Sequence, residues 1–162
     1  MDIVRYAASG MNSQPVQWFV VYDEKEVQRL AELTIDWMRY ISGSKTPLSA
    51  YAARLVAAWE RGIDPICWNA PHLLIAHIPE NSLTAPTDAI IALTHFDIAA
   101  PAFGVGTCWA GFLAAAARSW KPMHEALALP AGRAVAYVML FGYPQYKTYR
   151  IPRRNPVKII WR

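Results

Sequence analysis

Cysteine is scarce in this chain. Cys67 and Cys108 are the only two in 162 residues, and they form neither a disulfide framework nor a metal-type pair spacing. A reduced, cytoplasmic setting fits such usage. Met1 to Ala8 holds Asp2 and Arg5 and no long apolar stretch, so it does not read as a secretory signal. No glycine-rich loop ends in Lys-Ser/Thr, and no dinucleotide fingerprint follows a strand. Ser9 and Ser13 sit in no nucleophile elbow, which leaves serine-hydrolase chemistry without support. The four histidines do not cluster: His72 and His77 are five apart on a predicted strand and so face opposite sides. His95 falls inside a predicted helix and His124 is isolated, so all four read as structural or surface groups. Acidic residues are missing from Pro144 to Arg162, where Lys147, Arg150, Arg153, Arg154, Lys158 and Arg162 stand unopposed.

What is present is a globular composition. Hydrophobic residues make up 54% and charged residues 17%, enough for a core and too apolar for a disordered chain. The length suits a single domain over 1–162, with an extended basic arm at about 144–162. Of sixteen basic residues six lie in the arm; the ten left face twelve acids, so the body is mildly acidic. A basic arm suits an anionic partner, such as a phosphate, a nucleic acid or an acidic surface; the plain alternative is a solvated tail. No nucleic-acid-reading motif accompanies it. Ile98 to Ala117 is uncharged and just long enough to cross a bilayer. Pro101, Gly104, Gly106 and Gly111 interrupt it, so it divides better into a helix end, a short strand and a second helix.

The pattern along the chain predicts helices alternating with strands. Met1 to Ala8 reads as the last turns of a helix, and Ser9 to Pro15 as a loop. Val16 to Tyr22, β-branched and aromatic, is a strand. Asp23 caps a helix with Val27, Leu30, Ala31, Thr34, Trp37 and Met38 on one face. Ser42 to Thr46 breaks it, and Ser49 to Arg61 is a second helix ended by Gly62. After a loop over Ile63 to Pro71, His72 to Ile78 is a buried strand. Pro86 opens a long helix to about Ala100, with Ile90, Ile91, Thr94 and Ile98 expected to face the core. Val105 to Trp109 is a short strand; Gly111 to Ser119 and Pro122 to Ala128 are short helices. Ala134 to Phe141 is the last strand. Helices on a central sheet follow, in α+β or α/β layering. The Pro-broken tail buries little alone, which points to a dimer.

Three stretches stand out as candidates for chemistry. Ala7-Ala8-Ser9-Gly10-Met11-Asn12-Ser13-Gln14-Pro15 brings small polar groups together, suited to a polar ring edge. Gly104-Val105-Gly106-Thr107-Cys108-Trp109-Ala110-Gly111 places small residues before a helix, leaving backbone N–H groups accessible. Arg153-Arg154-Asn155-Pro156 suits a phosphate.

In this order and spacing, with the strand Val138-Met139-Leu140-Phe141-Gly142-Tyr143-Pro144 before the arm, the three stretches resemble the nitroreductase family over nearly the whole chain. No single motif is specific. The resemblance implies an α+β sandwich, a central mostly antiparallel sheet flanked by helices, dimeric, with FMN at the dimer interface. It implies that Ala8, Ser9, Asn12 and Gln14 approach the flavin from one subunit, and Trp109, Ala110 and Gly111 from the other. Arg153 and Arg154 would hold the phosphate. The implied activity is that of an FMN-dependent oxidoreductase passing hydride from NAD(P)H to a nitroaromatic, quinone or similar small acceptor, with no metal, no nucleic acid and no membrane. The family's usual Arg-Arg-Ser-type opening segment has no counterpart after Met1. Weakened FMN binding, or a non-enzymatic protein with weak or no flavin binding, is the expectation that follows.

Overall fold

The computed structural model describes residues 1–44, 47–146 and 149–162. Lys45 and Thr46 of the expected break, and Lys147 of the arm, lie outside the described residues. Four strands, β1 (Gln17–Val21), β2 (His72–Pro79), β3 (Gly106–Trp109) and β4 (Arg133–Gly142), form one sheet in the order β1-β2-β4-β3, antiparallel throughout. Among the described residues, five α-helices flank it: α1 (Glu24–Ser42), α2 (Pro47–Trp59), α3 (Ala85–Ala99), α4 (Gly111–Ser119) and α5 (Lys121–Leu127). The fold is α+β, as the resemblance implies.

β2 explains the layering. It is paired on both sides and its interior is buried throughout, so its side chains alternate between two cores. Leu73 and Ile75 pack with Leu30, Ile35, Met38, Leu113 and Val138 under α1, α2, α4 and α5. Leu74, Ala76 and Ile78 pack with Ala85, Ala89, Leu93 and Met139 under α3. α1 turns Val27, Leu30, Ala31, Thr34, Trp37 and Met38 inward as its spacing predicts, and the Asp23 carboxylate accepts from the Lys25 amide at 2.8 Å. Beyond α2, Gly62 takes φ +79° and Ile63 N–H reaches back to Ala58 C=O at 3.1 Å, which ends the helix. Ala136 is an extra residue on β4, opposite Ala76/His77, and its carbonyl accepts from Arg118 at 2.9 Å.

Two expectations are corrected. Met1 to Ala8 forms a single 3-10 turn, Val4–Tyr6, not the closing turns of an α-helix. Ala7 is already extended at φ −59°, ψ 136°, because the chain must turn into the loop that follows. On α3, Ile90, Ile91, Thr94 and Ile98 do not face the core. Ile90 is 40% exposed and Ile98 76%, while Ala85, Ala89, Ala92 and Leu93 are buried. The helix lies close on the sheet, and small residues permit that approach. Its large apolar residues line an outer groove of about 380 Å³ together with Ile3.

The uncharged run from Ile98 divides between the end of α3, a 3-10 turn at Ala100–Phe103, β3 and the start of α4. Among the described residues, no helix is long and apolar enough to cross a membrane.

Candidate functional site

The Ser9–Pro15 loop is held in a conformation that its sequence alone disfavours. Met11, Asn12 and Gln14 have φ of 53°, 54° and 48°. Left-handed backbone is uncommon for residues other than glycine, and it persists only where surroundings enforce it. Within the loop, Asn12 N–H donates to Ser9 C=O and Ser13 N–H to Gly10 C=O, both at 3.0 Å. The Gln14 amide donates to Ser9 Oγ at 3.0 Å, and Gln14 Nε2 donates to Asn12 Oδ1 at 3.3 Å.

Two outside groups fix the loop. At its front, Gly10 N–H donates to Oδ1 of Asp88 on α3 at 2.9 Å. A Cβ on Gly10 would stand 2.9 Å from Thr84 Cβ, so only glycine fits there. At its back, Arg133 on β4 donates to Pro15 C=O at 3.0 Å, to His77 C=O at 2.7 Å and to His77 Nδ1 at 3.1 Å. His77 is buried. Burial, and then the Arg133 cation, hold its pKa below the ordinary histidine value. As the acceptor of an Arg N–H, Nδ1 carries no proton in this arrangement. Ala8, Ser9 and Gln14 line a cavity of about 180 Å³ with Arg5, Trp18 and Asp88.

The second stretch lies where β3 enters α4. Gly104, at φ +71°, turns the chain into the strand. Ala110 N–H donates to Val138 C=O at 3.0 Å, which fixes the junction to β4. Trp109 lies edge-on to Tyr137 at 5.2 Å, and its indole N–H donates to Oδ2 of Asp97 on α3 at 3.2 Å. The Thr107 hydroxyl donates to Oδ1 of the same carboxylate. No side chain caps α4, so its first amides present partial positive charge beside Gly111. Arg153 and Arg154 belong to the third stretch. From Tyr149 to Arg162 every residue is exposed, and Arg154 donates to Arg153 C=O at 3.4 Å.

The predicted residues therefore fall into three groups on one chain. Ser9 and Gln14 share a cavity and a hydrogen bond, with Asn12 bonded to Gln14. Trp109, Ala110 and Gly111 are continuous at the β3–α4 junction. The lining of the Ser9 cavity includes neither that junction nor the arm. Taken across the three groups, the donors suit a flat heteroaromatic ligand with an anionic tail: hydroxyl and amide groups, an uncapped helix start, an indole, and two exposed guanidinium groups.

Sequence reasoning missed Asp64, Asp88, Asp97 and Arg133. Asp64 knots the loop before β2, accepting from the Ile66 and Cys67 amides at 2.9 Å and the Asn69 amide at 3.0 Å. Burial, with Asp64 beside it, pushes the Cys67 thiol up to about 12, which leaves it unsuited as a nucleophile. One signal was available for Asp97. An acid in the last turn of a helix opposes the dipole, so it needs a partner elsewhere. Among the described residues, no group of His, Cys, Asp or Glu is arranged to hold a metal ion.

The sequence pattern of the Nitroreductase family matches residues 1–143. No curated protein matches the sequence. Among solved structures, a nitroreductase with bound FMN from Bacteroides fragilis superposes with a TM-score of 0.72 at 18% identity, covering 98% of this chain and 83% of that one. A nitroreductase with bound FMN from Desulfitobacterium hafniense gives 0.72 at 21% identity, covering 98% and 82%. An NADPH:FMN oxidoreductase from Vibrio harveyi, complexed with NAD+, gives 0.60 at 20% identity, covering 98% and 66%.

Proposed function

Because the chain belongs to the nitroreductase family, we propose that it is an FMN-dependent oxidoreductase that takes hydride from NAD(P)H and passes electrons to a small acceptor, a nitroaromatic, a quinone or a similar compound. The observation that carries this reading is the family match over residues 1–143 on a fold shared with FMN-bound nitroreductases. The working unit is a homodimer, in which the Ser9 loop of one copy and the β3–α4 junction of the other complete one site. That arrangement accounts for a Ser9 cavity whose lining includes neither the junction nor the arm. A cytoplasmic setting and small-molecule partners go with it.

When bound, FMN supplies the hydride and electron chemistry. Ser9, Asn12 and Gln14 would hold the ring of FMN with a hydroxyl and two carboxamides, with Ala8 beside them. Trp109, Ala110 and Gly111 would hold it from the second copy, where the uncapped start of α4 would offer partial positive charge that favours a reduced ring. Arg153 and Arg154 would pair with the phosphate. No acid–base dyad is required of the protein, in keeping with the absence of one from the sequence.

The test is a titration of apoprotein with FMN, followed by flavin fluorescence and thermal melting, then addition of NADH or NADPH. Saturable uptake, a raised melting temperature and bleaching of the bound flavin by a nicotinamide are expected. No uptake in large excess, or bound flavin that neither nicotinamide reduces, would overturn the reading.

A further inference from the structure

Both stretches assigned to the flavin are tied to the same helix by a carboxylate. Asp88, in the first turn of α3, accepts from Gly10 N–H at 2.9 Å across 78 residues of sequence. Asp97, in its last turn, accepts from the Thr107 hydroxyl and from Trp109 Nε1–H at 3.2 Å. We propose that Asp88 and Asp97 are positioning residues of the flavin site, which set the Ser9 loop and the β3–α4 junction against α3. The proposal rests on the functional reading above.

Asp88 is the more telling of the two. It is 4% exposed, and its Oδ2 is buried with no hydrogen-bond partner among the described residues. A buried carboxylate with an unpartnered oxygen is a cost to folding, and an apolar residue there would pack with less penalty. What Asp88 supplies in return is the orientation of Gly10. That amide stands at the head of a loop whose Met11, Asn12 and Gln14 are all left-handed, a shape that needs outside enforcement. Asp97 works in the same way at the other end. Thr107 and Trp109 alternate with Cys108 along β3, so both point to the α3 side, and one carboxylate fixes the two. Trp109 then carries Ala110 and Gly111 into place. The two aspartates are nine residues apart, about 13 Å along the helix axis. One rigid element thus holds in shape the two half-sites that its chain contributes, one to each flavin site of the dimer, as precise binding requires.

The test compares apoprotein variants by FMN titration, with the melting temperature of each apoprotein as the control for folding. Asp88→Ala, which loses one hydrogen bond, and Asp97→Ala, which loses two, should each raise the Kd for FMN at least about ten-fold. Asp88→Asn keeps an acceptor for Gly10, and Asp97→Asn keeps an acceptor for Trp109 and can donate to Thr107. Both should stay within about three-fold of the parent, since the contact and not the charge is what positions. Hydrogen exchange of the 8–15 segment should rise in Asp88→Ala and remain protected in Asp88→Asn. Alanine variants that bind FMN like the parent, or asparagine variants as weak as the alanine ones, would overturn the proposal. If the parent takes up no FMN, the functional reading fails and the proposal falls with it as a statement about a flavin site. Hydrogen exchange then still decides the tether: unchanged exchange over 8–15 in Asp88→Ala would remove it as well.

Discussion

A residue's chemistry was legible wherever it acts through its own neighbours in sequence. Ser9, Asn12 and Gln14 announce a polar loop because small polar side chains bond to nearby backbone, and the structure closes that loop through Ser9 Oγ and Asn12 Oδ1. Asp88 and Arg133 were not legible, since their partners lie 78 and 118 residues away in the chain. Only the fold brings them to the loop. The two arginines of the arm stand between these cases. Their charge is plain from sequence, whereas their specificity has to be measured. If Arg154 pairs with the FMN phosphate, Arg154→Ala should weaken FMN binding by about 1.5–3 kcal/mol, the range for a hydrogen bond to a charged group. Arg162→Ala should change it little. Isothermal titration of both variants decides the matter: equal losses would mean general charge attraction and would remove Arg154 from the site.

Among the elements, position was easier to read than orientation. All four strands fall within a residue or two of the expected bounds, because β-branched and aromatic runs between turn residues leave few alternatives. α3 is the exception in orientation. Its apolar side chains are spread around the helix rather than gathered on one face, so periodicity does not say which face is inward. The larger side chains were read as core, yet close packing on the sheet selected Ala85, Ala89 and Ala92 instead. The elements also show where pH acts. β2 and β4 are joined to the loop through the His77–Arg133 contact, and His77 titrates below its ordinary value in the fold. Above about pH 6.5, the unperturbed value, His77 is neutral folded or unfolded and costs nothing. As pH falls below that value, the unfolded chain takes up the proton first. Stability should therefore drop until the folded pKa is passed. Melting temperatures of the parent between pH 8 and 5 should show this fall, and His77→Gln should flatten it. An identical fall in the variant would assign the effect to other groups.

At the scale of the whole molecule, exposed apolar surface among the described residues bears on assembly in two places. One is the outer face of α3, with Ile90, Ile91 and Ile98 around a groove of about 380 Å³. The other is the arm, whose Ile151, Val157, Ile160 and Trp161 are each more than 80% exposed. Scattered surface apolars need no explanation, but contiguous ones mark an interface. A second copy is the occupant we propose for the helix face, because the flavin reading already requires two copies to complete each site. In a symmetric dimer Ile98 would be buried once per subunit. Burying one such side chain contributes about 1.5–3 kcal/mol, so Ile98→Glu should weaken dimerisation by roughly two to four decades. The folding of each copy should survive, since Ile98 is 76% exposed in a single chain and supports none of its core. Sedimentation velocity across a concentration series gives the dimer constant, and circular dichroism checks the fold. FMN binding supplies the cross-check: if each site needs both copies, the Ile98→Glu protein should bind FMN only at concentrations where it still dimerises. A monomeric variant that binds FMN as tightly as the parent would place the whole flavin site within one chain.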